Sequence, residues 1–406
     1  MIFTTESCII ERTSSFVRSI LISVVNGVKT AAVIAELNPL HTGHEYLLEQ
    51  LRESGAERVV LIMSGNFVQR GDYAVFDKFD RAAAAVECGA DLVVELPLPW
   101  AMAGAQTFAK GGAALARALG GIDTLAFGCE CGDAEALTQV AQALAQPAFS
   151  EAVKIELNGG VSFAAARQNA CEKLLGKSYA ALLSSPNNAL AVEYIAALQG
   201  SGIEPFAVKR VGAGHDSAEL TEGEPLSGSL LREKLRRGED VSAFVPHTLL
   251  SCPHTEANRL DTAVLAKLRA MKQKEFSCAP DLSEGLENRV FAASRQAGSL
   301  EELFALSKTK RYPLARIRRI VWSLFLGVTA QDAQLEPPYL RVLAANETGK
   351  TLLTGCTLPV LARAAQTAQL DERGRHIFEL ECAADDVFGL CFAEPRAAGR
   401  YFPTKL

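Results

Sequence analysis

The 406-residue sequence has no Cys-x-x-Cys pair, no internal repeat and no low-complexity tract. No apolar run approaches the ~20 residues of a membrane helix. Positive charge is not in excess: 41 Lys and Arg stand against 47 Asp and Glu, a net charge of −6. Such a chain does not coat nucleic acid non-specifically, although a local basic patch remains compatible with binding it. The ten cysteines are scattered, and the one close pair, Cys129 and Cys131, lacks a second pair at zinc-finger spacing. That pattern excludes a disulfide scaffold and gives no metal site; it reads as reduced thiols of a cytoplasmic protein.

What is present is the balance of a soluble globular protein, 49% apolar and 22% charged. At ~100–200 residues per domain the length suggests two or three domains. Residues 1–29 carry a short apolar stretch, Ile20 to Val25, without the basic leader, long apolar core and cleavage site of a secretory signal. They are expected to be a disordered extension, with translation starting near Val28.

From residue 31 short apolar runs alternate with helical stretches. Ala31–Leu37, Arg58–Met63, Asp91–Leu96 and Asp123–Phe127 read as strands. His44–Glu53, Asp77–Cys88 and Thr107–Leu119 read as helices between them. This alternation predicts an α/β fold, a Rossmann-like doubly wound parallel sheet. Residues 133–200 read as wholly helical, with a break and restart at Ser184–Asn188. Pro205–Val211 is expected as a last strand and Ser227–Arg237 as a following helix. Beyond about residue 245 the helices Leu260–Lys272, Leu300–Leu306 and Leu314–Leu326 dominate, with strands expected at Tyr339–Ala344 and Val387–Phe392. The expected organisation is therefore an α/β domain over 30–245 and a mainly helical domain over 246–406.

The sharpest motif follows the first strand: Glu36-Leu37-Asn38-Pro39-Leu40-His41-Thr42-Gly43-His44. Its H-x-G-H core sits at a strand-to-helix junction, outside the carboxyl end of a parallel strand, where α/β folds bind ligands. Helix-start N–H groups already attract phosphate there. Two imidazoles add donors for charge developing on phosphorus and on a leaving pyrophosphate, and Gly43 lets a nucleotide approach the backbone. Further on, Ser227-Gly228-Ser229-Leu230-Leu231-Arg232 places hydroxyls and an arginine at another helix start, a second phosphate-facing cluster.

The two motifs together resemble the nucleotidyltransferase superfamily that joins HIGH-type and I-S-S/T-x-x-R-type motifs. The K-M-S-K-S loop of class I aminoacyl-tRNA synthetases is absent. Further stretches are similar to one branch, the bacterial tRNA(Met) cytidine acetate ligase family, from about residue 30 to 345. These are Met63–Gly71 with Lys78 and Arg81, Gly89–Pro97, Phe127–Glu130, Ser185–Asn188, Lys209–Asp216 and Arg311–Ile317. Where the family carries aromatic residues, this chain has Leu37 and Leu40, and Thr42 also departs from the pattern.

The resemblance implies an enzyme with ATP and acetate as substrates, Mg²⁺ accompanying ATP, and elongator tRNA(Met) as acceptor. Acetate would attack the α-phosphate, and the wobble cytidine would take the acetyl group from acetyl-adenylate. It implies catalytic roles for His41 and His44. ATP would lie along Ile34, Ala35, Glu36, Leu37, Asn38, Pro39, Leu40, His41, Thr42, Gly43, His44, Glu45, Tyr46 and Leu47. Gly128, one or both of Asn187 and Asn188, Arg210 and Ser229 would add contacts. The alternatives are a cofactor-precursor adenylyltransferase, which shares both motifs, and a non-catalytic nucleotide-binding protein that contacts RNA.

Between Lys308 and Arg319 lie six basic residues and no acid. Lys310, Arg311, Arg316 and Arg319 are expected to bind tRNA phosphate, with Tyr312 stacking on a splayed base. Gln69 and Arg70 either face substrate or cap a loop, and the acids of Asp91–Pro97 are expected to be structural.

Overall fold

A computed structural model of the protein describes residues 30–210, 226–283 and 285–404; the expected N-terminal extension, the start site and the later part of the Lys209–Asp216 stretch lie outside them. Seven strands form the main sheet: β1 (Thr30–Ala35), β2 (Arg58–Ser64), β5 (Leu92–Leu96), β6 (Thr124–Cys129), β7 (Glu204–Lys209), β8 (Leu340–Ala345) and β9 (Val360–Leu361). Two short strands, β3 (Phe67–Val68) and β4 (Asp72–Tyr73), make a separate hairpin. The sheet order is β7-β6-β1-β2-β5-β8-β9. All pairs are parallel except β5 with β8.

The chain runs from β1 outward to β2 and β5, then returns across the sheet to β6. The order therefore reverses between β1 and β6, the position at which such sheets open a crevice at their carboxyl ends. Alternation along the strands sends Ala32, Ile34, Val60 and Ile62 to one face and Ala31, Val33, Val59 and Leu61 to the other. Helices Ala105–Leu119 and Pro186–Leu198 cover the first face; Thr42–Glu53, Lys78–Glu87 and Gly228–Arg236 cover the second. Gly112 makes the first contact close, since a Cβ there would sit 2.4 Å from Ile34 Cδ1.

From residue 246 the chain is mainly helical, yet it also sends β8 and β9 into the main sheet, so the two halves of the sequence share one sheet. Helices Asp261–Ala270, Leu286–Gln296, Leu300–Ser307 and Leu314–Leu326 build a third core around Trp322, which meets Phe67 and Tyr73 of the β3–β4 hairpin. The strand expected at Val387–Phe392 is not one. It is the end of helix Glu372–Phe388 and a 3₁₀ turn, Gly389–Cys391. The apolar run there is the last part of a helical stripe, Ile377, Glu381, Ala384 and Phe388, rather than a two-residue alternation.

A buried ionic cluster joins the halves. Lys78 Nζ lies 2.8 Å from Glu95 and 2.7 Å from Asp385, and Arg341 pairs with Glu95, Glu381 and Asp385 at 3.2 Å. Glu95 is thus structural, and Asp91 likewise binds Arg52 and Asn346. Among the described residues no helix is long and apolar enough to cross a membrane.

Candidate active site

At the carboxyl ends of β1 and β6 lies a cavity of about 290 Å³. The loop leaving β1 forms one wall, and it is held from beneath by fully buried Arg81. That guanidinium donates to the carbonyls of Phe76, Glu36, Ser64 and Gly65, fixing the chain where it leaves β1 and β2. Asn38 Oδ1 accepts the Val75 amide at 2.9 Å, and Arg232 donates to the Asn38 carbonyl at 2.7 Å. Each of these bonds fixes a loop that has no ladder of its own.

His41 is the N-cap of helix Thr42–Glu53, its Nδ1 accepting the Gly43 amide at 3.0 Å. With Nδ1 used as acceptor, the neutral ring carries its proton on Nε2. That nitrogen points toward Gly228, at the start of helix Gly228–Arg236. The rings of His41 and His44 are 4.1 Å apart. Burial, then Arg210 and Arg232, lowers the His41 pKa to about 4. Burial, then His41 and Arg210, lowers that of His44 well below its usual value. Both imidazoles are therefore neutral donors at neutral pH, set among arginines that already supply positive charge. His44 Nδ1 is buried and has no partner among the described residues.

The opposite wall comes from helix Pro186–Leu198, whose Asn187, Leu190 and Tyr194 fall on one helical face. Tyr194 packs near Phe127 and Phe108, giving the cavity an apolar side. Gly128 lies beneath Arg210, where a Cβ would come within 3.4 Å of the arginine stem. Ser227, Gly228 and Arg232 close the mouth opposite His41. Burial and neighbouring Arg70 lower the Arg232 pKa to about 10, the signature of cations gathered for an anion.

Of the expected nucleotide residues, Ile34, Ala35, Glu36, Leu37, Asn38, His41, Gly43, His44, Tyr46, Leu47, Gly128, Asn187 and Arg210 line this cavity. Pro39, Leu40, Thr42 and Glu45 stand off its wall. Leu40 is fully buried in the core, the Thr42 amide binds the Phe244 carbonyl, and Glu45 accepts from Cys88.

Asn188 does not line the cavity either. It is 3% exposed and its Oδ1 accepts the Glu130 and Cys131 amides, so it shapes the loop after β6. Ser229 sits in an adjoining hollow, binding Arg70 and Arg232, while Ser227 takes the cavity position. Gln69 and Arg70 do line the cavity. Among the lining residues that sequence reasoning did not assign to the nucleotide, Leu190, Phe108 and Phe127 are apolar, Tyr194 is aromatic with a hydroxyl, and Lys209 is charged. Only the helical spacing from Asn187 to Leu190 and Tyr194 signalled part of the set.

The basic helix Leu314–Leu326 departs from expectation. Arg316 donates to the Asp281 carbonyl and to Ser283, and Arg319 to Asp281 Oδ2 and the Gln69 carbonyl. Tyr312 is 9% exposed and stacks under Arg316, which leaves no face for a base. Arg316 and Arg319 hold loops in place. Lys310 is exposed and Arg311 half-buried at the start of this segment.

Residues 28–400 match the family model described as HIGH Nucleotidyl Transferase. A tRNA(Met) cytidine acetate ligase from Acetivibrio thermocellus is 34% identical, covering 92% of this chain and 98% of that protein. One from Caldanaerobacter subterraneus is 36% identical, covering 89% and 94%. The crystal structure of Thermotoga maritima TmcAL bound with alpha-thio ATP superposes with a TM-score of 0.85 at 28% identity, covering 93% of this chain and 98% of that one.

Proposed function

Given that the chain belongs to the tRNA(Met) cytidine acetate ligase family of HIGH nucleotidyl transferases, we propose that it acetylates the wobble cytidine of elongator tRNA(Met) in two ATP-dependent steps. An acetate oxygen attacks the α-phosphorus, the bond to the β-phosphate breaks, and pyrophosphate leaves. The exocyclic N4 of the cytidine then attacks the acetyl carbon, loses a proton, and expels AMP. The products are N4-acetylcytidine, AMP and pyrophosphate.

The observation that carries this reading is the pair of neutral imidazoles facing a nucleotide-sized cavity beside Arg210 and Arg232. His41 Nε2–H and His44 donate to phosphate oxygens as charge moves toward the leaving pyrophosphate. Because both rings start neutral, they contribute directed hydrogen bonds, while the arginines supply the net charge. Asn187, Tyr194 and Gly128 form the side suited to adenosine, with Gly128 permitting close approach. Among the described residues no group of three or more His, Cys, Asp or Glu could hold a metal. Mg²⁺ would accompany the triphosphate, as part of the substrate. The tRNA approaches from residues 246–406, where Lys310 and Arg311 meet its backbone.

The test is to incubate the protein with MgATP, labelled acetate and bulk bacterial tRNA, digest the tRNA and weigh the labelled nucleosides. Labelled N4-acetylcytidine that requires ATP is the expected result. Acetate-dependent pyrophosphate release without label in tRNA would leave adenylation standing and overturn the acceptor.

A further inference from the structure

Beyond Arg70 and Arg232, on the side away from His41, lies a second hollow of about 190 Å³. It adjoins the nucleotide cavity through three shared residues, Asn38, Arg70 and Arg232. Arg318, from helix Leu314–Leu326, forms its far side.

Three arginines thus line one small space. Ser229 Oγ accepts from Arg70 at 3.1 Å and from Arg232 at 3.0 Å, so a neutral hydroxyl holds two cations together. The bordering acid, Asp72, lies 3.5 Å from Arg236, and Glu36 accepts the Arg70 amide and pairs with its guanidinium at 3.7 Å. Arg318 has no acidic partner among the described residues; it stacks on Phe304, 5.5 Å from the ring centroid. Its helix neighbours Arg316 and Arg319 are turned to the Asp281 loop, which leaves Arg318 as the cation that this helix presents to the hollow.

At the seam between the two spaces, Asn38 Nδ2 is buried and unpaired among the described residues. A buried donor without an acceptor costs free energy unless a ligand supplies one.

We infer that this hollow is the entry for the acceptor RNA, with a backbone phosphate next to the reactive cytidine seated at Arg318. The base then passes the Asn38 seam toward the acyl group held in the His41 cavity. ATP reaches Arg232 from the other side, so the shared arginines separate nucleotide from RNA while contacting both. The inference rests on the reading of the protein as a tRNA acetate ligase.

The experiment compares the full-length protein with Arg318→Ala and Arg318→Lys, using transcribed elongator tRNA(Met). Affinity is measured from low to moderate salt, and acetyl transfer is divided by acetate-dependent exchange of pyrophosphate into ATP. Arg318→Ala should weaken binding roughly tenfold and lower the slope of log K against log salt by about 0.7–1, one phosphate contact. Its transfer-to-exchange ratio should fall in step, and Arg318→Lys should restore the slope. An Ala variant with wild-type slope and ratio overturns the inference. So does equal loss of exchange and binding in both variants, which would mark Arg318 as packing for Phe304. Failure of the wild-type protein to acetylate tRNA would instead remove the functional reading itself.

Discussion

The Nδ1 atom of His41 accepts the Gly43 amide at 3.0 Å, and that bond decides which edge of the imidazole meets the nucleotide. The glycine has a second part in this. A Cβ at position 43 would sit 2.9 Å from His41 Cε1, so any larger residue displaces the ring it is meant to orient. If the rings act by donating to the transferring phosphate, His41→Ala and His44→Ala should each lower acetate-dependent pyrophosphate exchange by roughly 10²-fold or more. Near-normal exchange in either variant would remove that histidine from the mechanism.

Stability should carry the mark of the same burial. Folded His41 stays neutral down to about pH 4, whereas in the unfolded chain it takes a proton near 6.5. Above pH 6.5 neither state is protonated and nothing is lost. As pH falls from 6.5 toward 4, only the unfolded state gains the proton, so the fold loses stability through that window. His41→Asn should flatten this part of the melting-temperature profile measured without nucleotide. A wild-type-to-variant difference independent of pH would contradict it.

Asn187 and Asn188 are adjacent in sequence and separable in effect. Asn187→Ala should raise KM for ATP several-fold and cost less stability than Asn188→Ala, since its side chain lines the cavity and gives up one part-buried bond, from its Nδ2 to Glu130 Oε1 at 2.8 Å. Asn188→Ala strands the Glu130 and Cys131 amides and should cost about 1–3 kcal/mol of stability. Urea titration together with exchange kinetics distinguishes them, and identical profiles would refute the division.

The buried cluster holds two cations, Lys78 and Arg341, against three acids, Glu95, Glu381 and Asp385. Burial, then repulsion from Glu95, pushes Glu381 up to about 7. Its sign is opposite to that of His41. The unfolded carboxyl ionises first, so stability declines as pH rises from about 4.5 through 7. Removing a cation deepens the imbalance and removing an acid relieves it. Lys78→Met should therefore lose about 3–5 kcal/mol, and Asp385→Asn clearly less. Equal losses by denaturant titration would show that the excess charge is not what matters.

Sequence legibility followed chain proximity. The strand, the H-x-G-H loop and the helix that it caps are contiguous, so one local pattern located the catalytic wall. The opposite wall joins residues more than 140 positions later, and its apolar members look like any helix core. Arg316 and Arg319 show the limit most clearly. Three-residue spacing places them on one face of a helix, but the Asp281 loop that claims them lies 35 and 38 residues earlier. Asn188 was ambiguous because neighbouring helical residues point in different directions, and both meet Glu130: Asn187 Nδ2 donates to its carboxylate, whereas Asn188 Oδ1 accepts its backbone amide. Val387–Phe392 looked like a strand because six residues are too few to separate the two periodicities.

The pairing of β5 with β8 imposes an order on biosynthesis. Leu92–Leu96 leaves the ribosome long before Leu340–Ala345, its hydrogen-bonding neighbour on that side. At ~5–20 residues per second the open edge persists for on the order of tens of seconds. Every residue of that strand is buried in the finished protein, so the nascent chain carries a sticky apolar border for most of its own translation. Chaperone dependence should accordingly be strongest before the last strands emerge. A chain ended ahead of Leu340 should aggregate although it already holds His41, His44 and Arg232. Recovery of that shortened chain as a monodisperse, exchange-active protein would show that the edge does not need its late partner.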